Sequence, residues 1–135
     1  MRVYIAGPMR GLPNFNFPAF FEAEEFLVSL GYTVFNPARR DEEQYGKEVS
    51  NSPDGNLADV ASAGFSIREA LAADTRYICL EADAIALLPG WKGSKGACAE
   101  WYLSYALGHK VFSIHKIDGE YELCDYPKIL KDSKL

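Results

Sequence analysis

Little in this chain points to a metal, a membrane or a nucleic acid. It has only three cysteines, Cys79, Cys98 and Cys124, and two histidines, His109 and His115, none at ligand-type spacing. Neither a metal site nor a cofactor is expected. Two of the cysteines lie in apolar runs and read as reduced core residues, which fits a cytoplasmic protein. No apolar run approaches a membrane span, and no leader pattern precedes the first strand signal at Arg2. Lys and Arg number 14 against 19 Asp and Glu, so the net charge of −5 argues against a nucleic-acid or membrane-surface partner. Internal repeats, low-complexity tracts and the Ser-His-Asp and Walker patterns are also missing. What is present is a chain of 135 residues, long enough for one domain with a core of its own.

Strand and helix signals alternate along it. Residues 2–6 (Arg-Val-Tyr-Ile-Ala) read as a strand that runs into Gly7-Pro8-Met9-Arg10-Gly11. Asn16 reads as an N-cap, with Phe17 and Pro18 opening an amphipathic helix that Gly31 closes. Residues 32–35 form the next strand. Residues 38–64 are polar, acidic and rich in turn formers, and read as a mobile lid with at most one short helical piece. Ser66, with Glu69 at the capping-box position, starts a helix to about Leu80. An apolar strand begins at Asp83, and a glycine-punctuated loop leads to a helix over 97–107, nearly all apolar and therefore expected to be buried. A strand over 111–114, a turn at Asp118-Gly119 and a short edge strand over 121–124 follow, and the tail from Lys128 reads as a short helix or frayed. This order predicts a single α/β domain, a Rossmann-like or flavodoxin-like sandwich. Its sheet has four or five mostly parallel strands, with the strand from Asp83 near the centre and helices on both faces.

Three groups of residues carry chemistry. Glu100 is a lone carboxylate in an apolar helix, and such a group needs a partner or a task. Gly90, Gly93 and Gly96, with Ser94 among them, lead straight into that helix, where free N–H groups and the positive end of the helix dipole suit an anion and help keep Glu100 ionised. In the first loop Arg10 can clamp a phosphate, and Tyr4 can donate its hydroxyl to a buried carboxylate. Asp74 and Asp83 are candidates for an acid–base carboxylate, Asp83 reading better as a solvated strand-end acid. Taken singly, each group also has a plain structural explanation: a βα turn, a surface arginine, helix-end acids. Trp91 and Trp101 read as packing residues.

Taken together, Tyr4, Gly7-x-x-Arg10-Gly11, Ala82-Asp83 and Ser94-x-Gly96-x-x-x-Glu100 resemble the nucleoside 2-deoxyribosyltransferase superfamily, and within it the 2′-deoxynucleoside 5′-monophosphate N-glycosidases. The resemblance covers about residues 1–114, thinly over 38–64. It implies that Glu100 is the nucleophile, Tyr4 the tyrosine that hydrogen-bonds it and Asp74 the acid–base carboxylate. It also implies a substrate pocket of Gly7, Pro8, Met9, Arg10, Gly11, Ser94 and Gly96, with Arg10 and Ser94 on the 5′-phosphate. Pro8 departs from the monophosphate hydrolases and is similar to the transferases, and the lid is longer and more acidic than usual. The implied activity is cleavage or transfer of the N-glycosidic bond of a 2′-deoxynucleotide or deoxynucleoside through a glutamyl-deoxyribose intermediate, with no metal or cofactor, in a homo-oligomer. Two other readings stand beside it: a nucleotide-binding sensor without catalysis, and a ribonucleotide phosphoribohydrolase.

Overall fold

The computed structural model describes residues 1–126. It contains a five-stranded sheet in the order β2-β1-β3-β4-β5, with β1 Arg2–Ala6, β2 Thr33–Phe35, β3 Ala84–Leu87, β4 Lys110–Ile117 and β5 Glu120–Asp125. The first four strands pair in parallel, and β5 closes the edge antiparallel to β4 through the Asp118-Gly119 turn. Both turn residues have positive φ, the requirement of a two-residue hairpin turn. The strand that follows Asp83 is the central one, as the alternation of elements predicts.

The period-two pattern of the strands divides the core. Val3 and Ile5 of β1, with Ala84 and Ala86 of β3, pack against Phe20, Ala23 and Leu27 of α1, Phe17–Ser29. Tyr4, Ala6, Ile85 and Leu87 point the other way, onto Ile78 of α3, Ile67–Leu80, and Ala97 of α4, Lys95–Ala106. Helices therefore cover both faces of one mostly parallel sheet. Among the described residues no helix is long and apolar enough to cross a membrane.

Several expectations are corrected. The 38–64 segment holds three helical pieces rather than at most one: α2, Pro37–Tyr45, and 3-10 turns at Lys47–Ser50 and Leu57–Ala63. Asn36 and Asn56 cap two of them, accepting from the amides of Ala38 and Ala58 at 2.9 and 3.0 Å. Asn36-Pro37 is thus a helix start, not merely the end of a strand. Helix α4 is not buried all round. The sheet and α3 cover only part of its circumference, leaving Tyr102 66 % and Tyr105 63 % exposed. No cysteine is in the core: Cys79 is on the outward side of α3, and Cys98 and Cys124 are half-buried, all three as free thiols. Asn16 precedes α1 but makes no side-chain cap, because its left-handed backbone turns the amide toward the Pro8 carbonyl, to which it donates at 3.0 Å. Trp91 packs on Trp101 and Tyr126. The expected tail from Lys128 lies outside the described residues.

Candidate functional site

The loops after β1 and β3 leave the carboxyl ends of adjacent strands, where ligands collect in open α/β sheets. They meet closely. A Cβ on Gly7 would stand 2.7 Å from Leu88 Cβ, so glycine is needed there for packing of the two strand ends. Gly93 and Gly96 differ: a Cβ on Gly93 would meet nothing within 4 Å, and one on Gly96 only the Ser94 hydroxyl at 4.0 Å. The fold does not require glycine at these two positions, but an approaching ligand would benefit from it.

Between these loops, α3, α4 and the 38–64 segment lies a cavity of about 400 Å³. Of the residues expected to form a site, Tyr4, Gly7, Pro8, Met9, Arg10, Asp74, Ser94, Gly96 and Glu100 all line it. Gly11 does not. Its amide donates to the Gly55 carbonyl at 3.0 Å and fastens the lid segment to the loop. Asp83 is at the opposite end of the sheet, where its carboxylate accepts the Arg2 amide at 2.8 Å.

The deep part of the cavity holds the acids. Tyr4, inaccessible on β1, donates its hydroxyl to Glu100 Oε2 at 2.6 Å. Asp74 is 7 % exposed and Glu100 6 %, and Asp74 Oδ1 is buried without any hydrogen-bond partner. Burial pushes Glu100 up to about 8, with the Tyr4 hydroxyl opposing and the charges of Asp74 and Asp41 adding to it. Burial and then Asp41 push Asp74 up to about 7, while Arg40 and Tyr4 pull down. This corrects the expectation that the helix dipole keeps Glu100 ionised. Glu100 sits beyond the first turn of α4, where the dipole fades, and the loss of water dominates. The donors decide how the pair divides its charge. Tyr4 supports a carboxylate on Glu100, while the unpartnered oxygen of Asp74 suits a carboxylic acid. Tyr4 itself is held well above its usual range by burial and by these two acids, so it remains a hydroxyl donor.

The rim is cationic. Arg10 is exposed, and among the described residues it makes no ion pair or hydrogen bond. Lys95 lines the same rim, a cation that sequence reasoning missed. Ser94 caps α4, its Oγ accepting the Ala97 amide at 3.2 Å, so its own O–H is free to donate. The amides of Gly93 and Ser94 are used by the preceding turn. Lys95 and Gly96 open the helix, and their amides have no intrahelical acceptor. Arg10, Lys95, the Ser94 hydroxyl and these two amides together suit an anion.

Sequence reasoning also missed the wall contributed by the 38–64 segment, Val49, Leu57, Val60 and Asp41 of α2, with Phe65 just after it. Phe15 joins this wall from three consecutive left-handed residues, Asn14, Phe15 and Asn16. Such backbone persists only where the surroundings enforce it, here by the Asn14 amide donating to the Ser52 carbonyl at 2.8 Å and by the Asn16 contact with Pro8.

No curated protein and no solved structure matches the chain. Residues 1–113 match a family described as a domain of unknown function (DUF4406), a span that takes in every residue of the site. The chain belongs to that family.

Proposed function

We propose that the protein is an N-glycosidase or 2-deoxyribosyltransferase-like enzyme that acts on a 2′-deoxynucleotide through a covalent glutamyl-deoxyribose intermediate. One observation carries the reading: a tyrosine-supported buried glutamate and a buried aspartate with one unpartnered oxygen share a cavity whose rim suits an anion. The 5′-phosphate lies against Arg10, the Ser94 hydroxyl and the opening amides of α4, and the sugar reaches inward to the acids.

Glu100 attacks C1′ as a carboxylate. The bond from C1′ to the base nitrogen breaks, its electron pair leaves with the base, and the base nitrogen takes the proton of Asp74. A glycosyl ester on Glu100 results. Water then attacks C1′, gives its proton to Asp74 and frees Glu100; a second base in place of water gives transfer. The reactive form holds one proton between the two acids, so kcat/KM should be bell-shaped around about pH 7 to 8, falling below as the pair gains a second proton and above as it loses its only one. The free thiols suit a reducing compartment such as the cytoplasm. The exposed Tyr102, Tyr105 and Leu107 of the α4 end suit contact with a second copy of the chain.

The test is base release from a panel of 2′-deoxynucleosides, their 5′-monophosphates and the matching ribonucleotides, followed by chromatography. A 2′-fluoro-2′-deoxynucleotide should leave a mass adduct of one sugar phosphate on the peptide containing Glu100. Tight nucleotide binding with no base release would reject the enzyme in favour of a sensor, and preference for AMP over dAMP would favour a ribonucleotide hydrolase.

A further inference from the structure

One buried acid in the cavity has no part in that reaction. Asp41 is on the inward face of α2 beside Pro37 and Ala38, and it is 4 % exposed. Its Oδ1 accepts from Arg40 Nη1 at 3.2 Å. Its Oδ2 makes no hydrogen bond and is not fully buried, and the residue lines the cavity. Asp41 is also near enough to Asp74 and Glu100 for its charge to act on both.

The cavity therefore offers more acceptors than donors. Three carboxyl groups face it, while the protein supplies Tyr4 to one and Arg40 to another, and Asp74 Oδ1 receives nothing. The three do not converge as metal ligands. A ligand that carries N–H or O–H groups would supply donors to these acceptors. If the cavity takes a deoxynucleotide as proposed above, Glu100 and Asp74 are engaged at C1′ and at the glycosidic nitrogen. The base then extends past them toward the apolar surfaces of Val49, Leu57, Val60 and Phe65, which suit a flat heterocycle, and toward Asp41 on the same segment.

We propose that Asp41 selects the base: its carboxylate accepts an N–H from an exocyclic amino group, so amino-bearing bases are preferred to their oxo counterparts. A carboxylate is only an acceptor. A carbonyl in place of the amino group would face it with lone pairs and leave both groups unpaired in a buried site.

The experiment compares pairs in which an oxo group replaces the amino group and the adjacent ring nitrogen gains a proton, dCMP with dUMP and dAMP with dIMP, on the wild type and on Asp41→Asn. The wild type should favour the amino member of the pair that it accepts by at least about tenfold in kcat/KM, as one buried hydrogen bond to a charged group allows. Asp41→Asn should bring that ratio close to one, because an amide can turn either its carbonyl or its amino group to the base. Equal rates for both members in the wild type, or a ratio unchanged in the variant, would overturn the assignment while the glycosidase reading stands. The wild-type ratio is informative even if the variant folds poorly. If no nucleotide releases base, the enzyme reading fails, and calorimetric binding of the same pairs decides the role of Asp41. Tighter binding of the amino member that is lost in the variant keeps the role, and equal or absent binding removes it.

Discussion

The two walls of the cavity are built differently. One consists of β1, α3 and α4, whose places are fixed by strand register and by helix packing on the sheet, and it carries Tyr4, Asp74 and Glu100. The other is the 38–64 segment, a succession of short helices held to the rest by bonds such as Gly11 amide to Gly55 carbonyl and Asn14 amide to Ser52 carbonyl. On the proposed mechanism, the groups that must meet within tenths of an ångström are on the first wall, and the groups that shape what may enter are on the other. Damage to the first should therefore fall on kcat, and damage to the second on KM and selectivity.

The largest effect should come from the first wall. Glu100→Gln keeps the shape and removes the attacking charge, so kcat on a substrate identified by the panel should fall by at least about 10³-fold with little change in ligand affinity. Asp74→Asn should hurt most with poor leaving groups and least with activated bases, because its part is proton transfer. Near-normal turnover by Glu100→Gln would end the covalent mechanism.

The same substitution should stabilise the fold. The folded-state values of Asp41, Asp74 and Glu100 all lie above those of ordinary carboxyls, at about 6, 7 and 8. The unfolded chain ionises first, so the stability that these groups contribute as neutral acids is present at low pH and lost as pH rises through the folded values. Thermal stability should decline from about pH 5 to pH 9. Glu100→Gln should be more stable than the wild type at pH 9, by about 2–4 kcal/mol, and the gap should close toward pH 5. A gap independent of pH would mean that packing, not charge, separates the two proteins.

How far the two walls could be read in the sequence differs for the same reason. Strand alternation, the Ser66 cap and the glycine stops act locally, so β1, α3, β3 and α4 were legible to within two residues. The resemblance carried by Tyr4, the two glycine loops and Glu100 then implied that Asp74 shares their site. Asp41 was not legible. It sits in Arg39-Arg40-Asp41-Glu42-Glu43, which reads as a solvated charge run, and only the packing of α2 buries this one acid. The apolar wall was hidden similarly, because Val49, Leu57 and Val60 are scattered among polar residues and come together only through tertiary contacts. Asn36-Pro37 was the one local signal for α2, a cap-and-proline start. The exposure of Tyr102 and Tyr105 reflects what covers a helix, which its own composition does not record.

At the rim, Arg10→Ala should raise KM for a 5′-monophosphate by about tenfold or more and leave the nucleoside little affected, consistent with about 1.5–3 kcal/mol for a hydrogen bond to a charged group. Equal losses on both substrates would make Arg10 a structural residue.

The smallest effect should come from the joint between the lid and the first loop. Gly55 has φ +70, and a Cβ there would collide with the Leu12 carbonyl oxygen and stand 2.7 Å from the Gly11 amide nitrogen, both backbone atoms that cannot rotate away. Gly55→Ala must therefore push the turn off the loop and lengthen the Gly11–Gly55 hydrogen bond. Tyr4, Asp74 and Glu100 do not touch this joint, so kcat should stay within about twofold of the wild type. KM should rise several-fold as the Val49–Val60 wall loosens, and the melting temperature should fall by a few degrees, as expected for about 1–2 kcal/mol. Hydrogen exchange separates this from general destabilisation: amides of the 38–64 segment should lose protection while those of β1 and β3 keep it. If kcat fell along with KM, the acids would depend on the lid for their geometry, and the division between the two walls would be wrong.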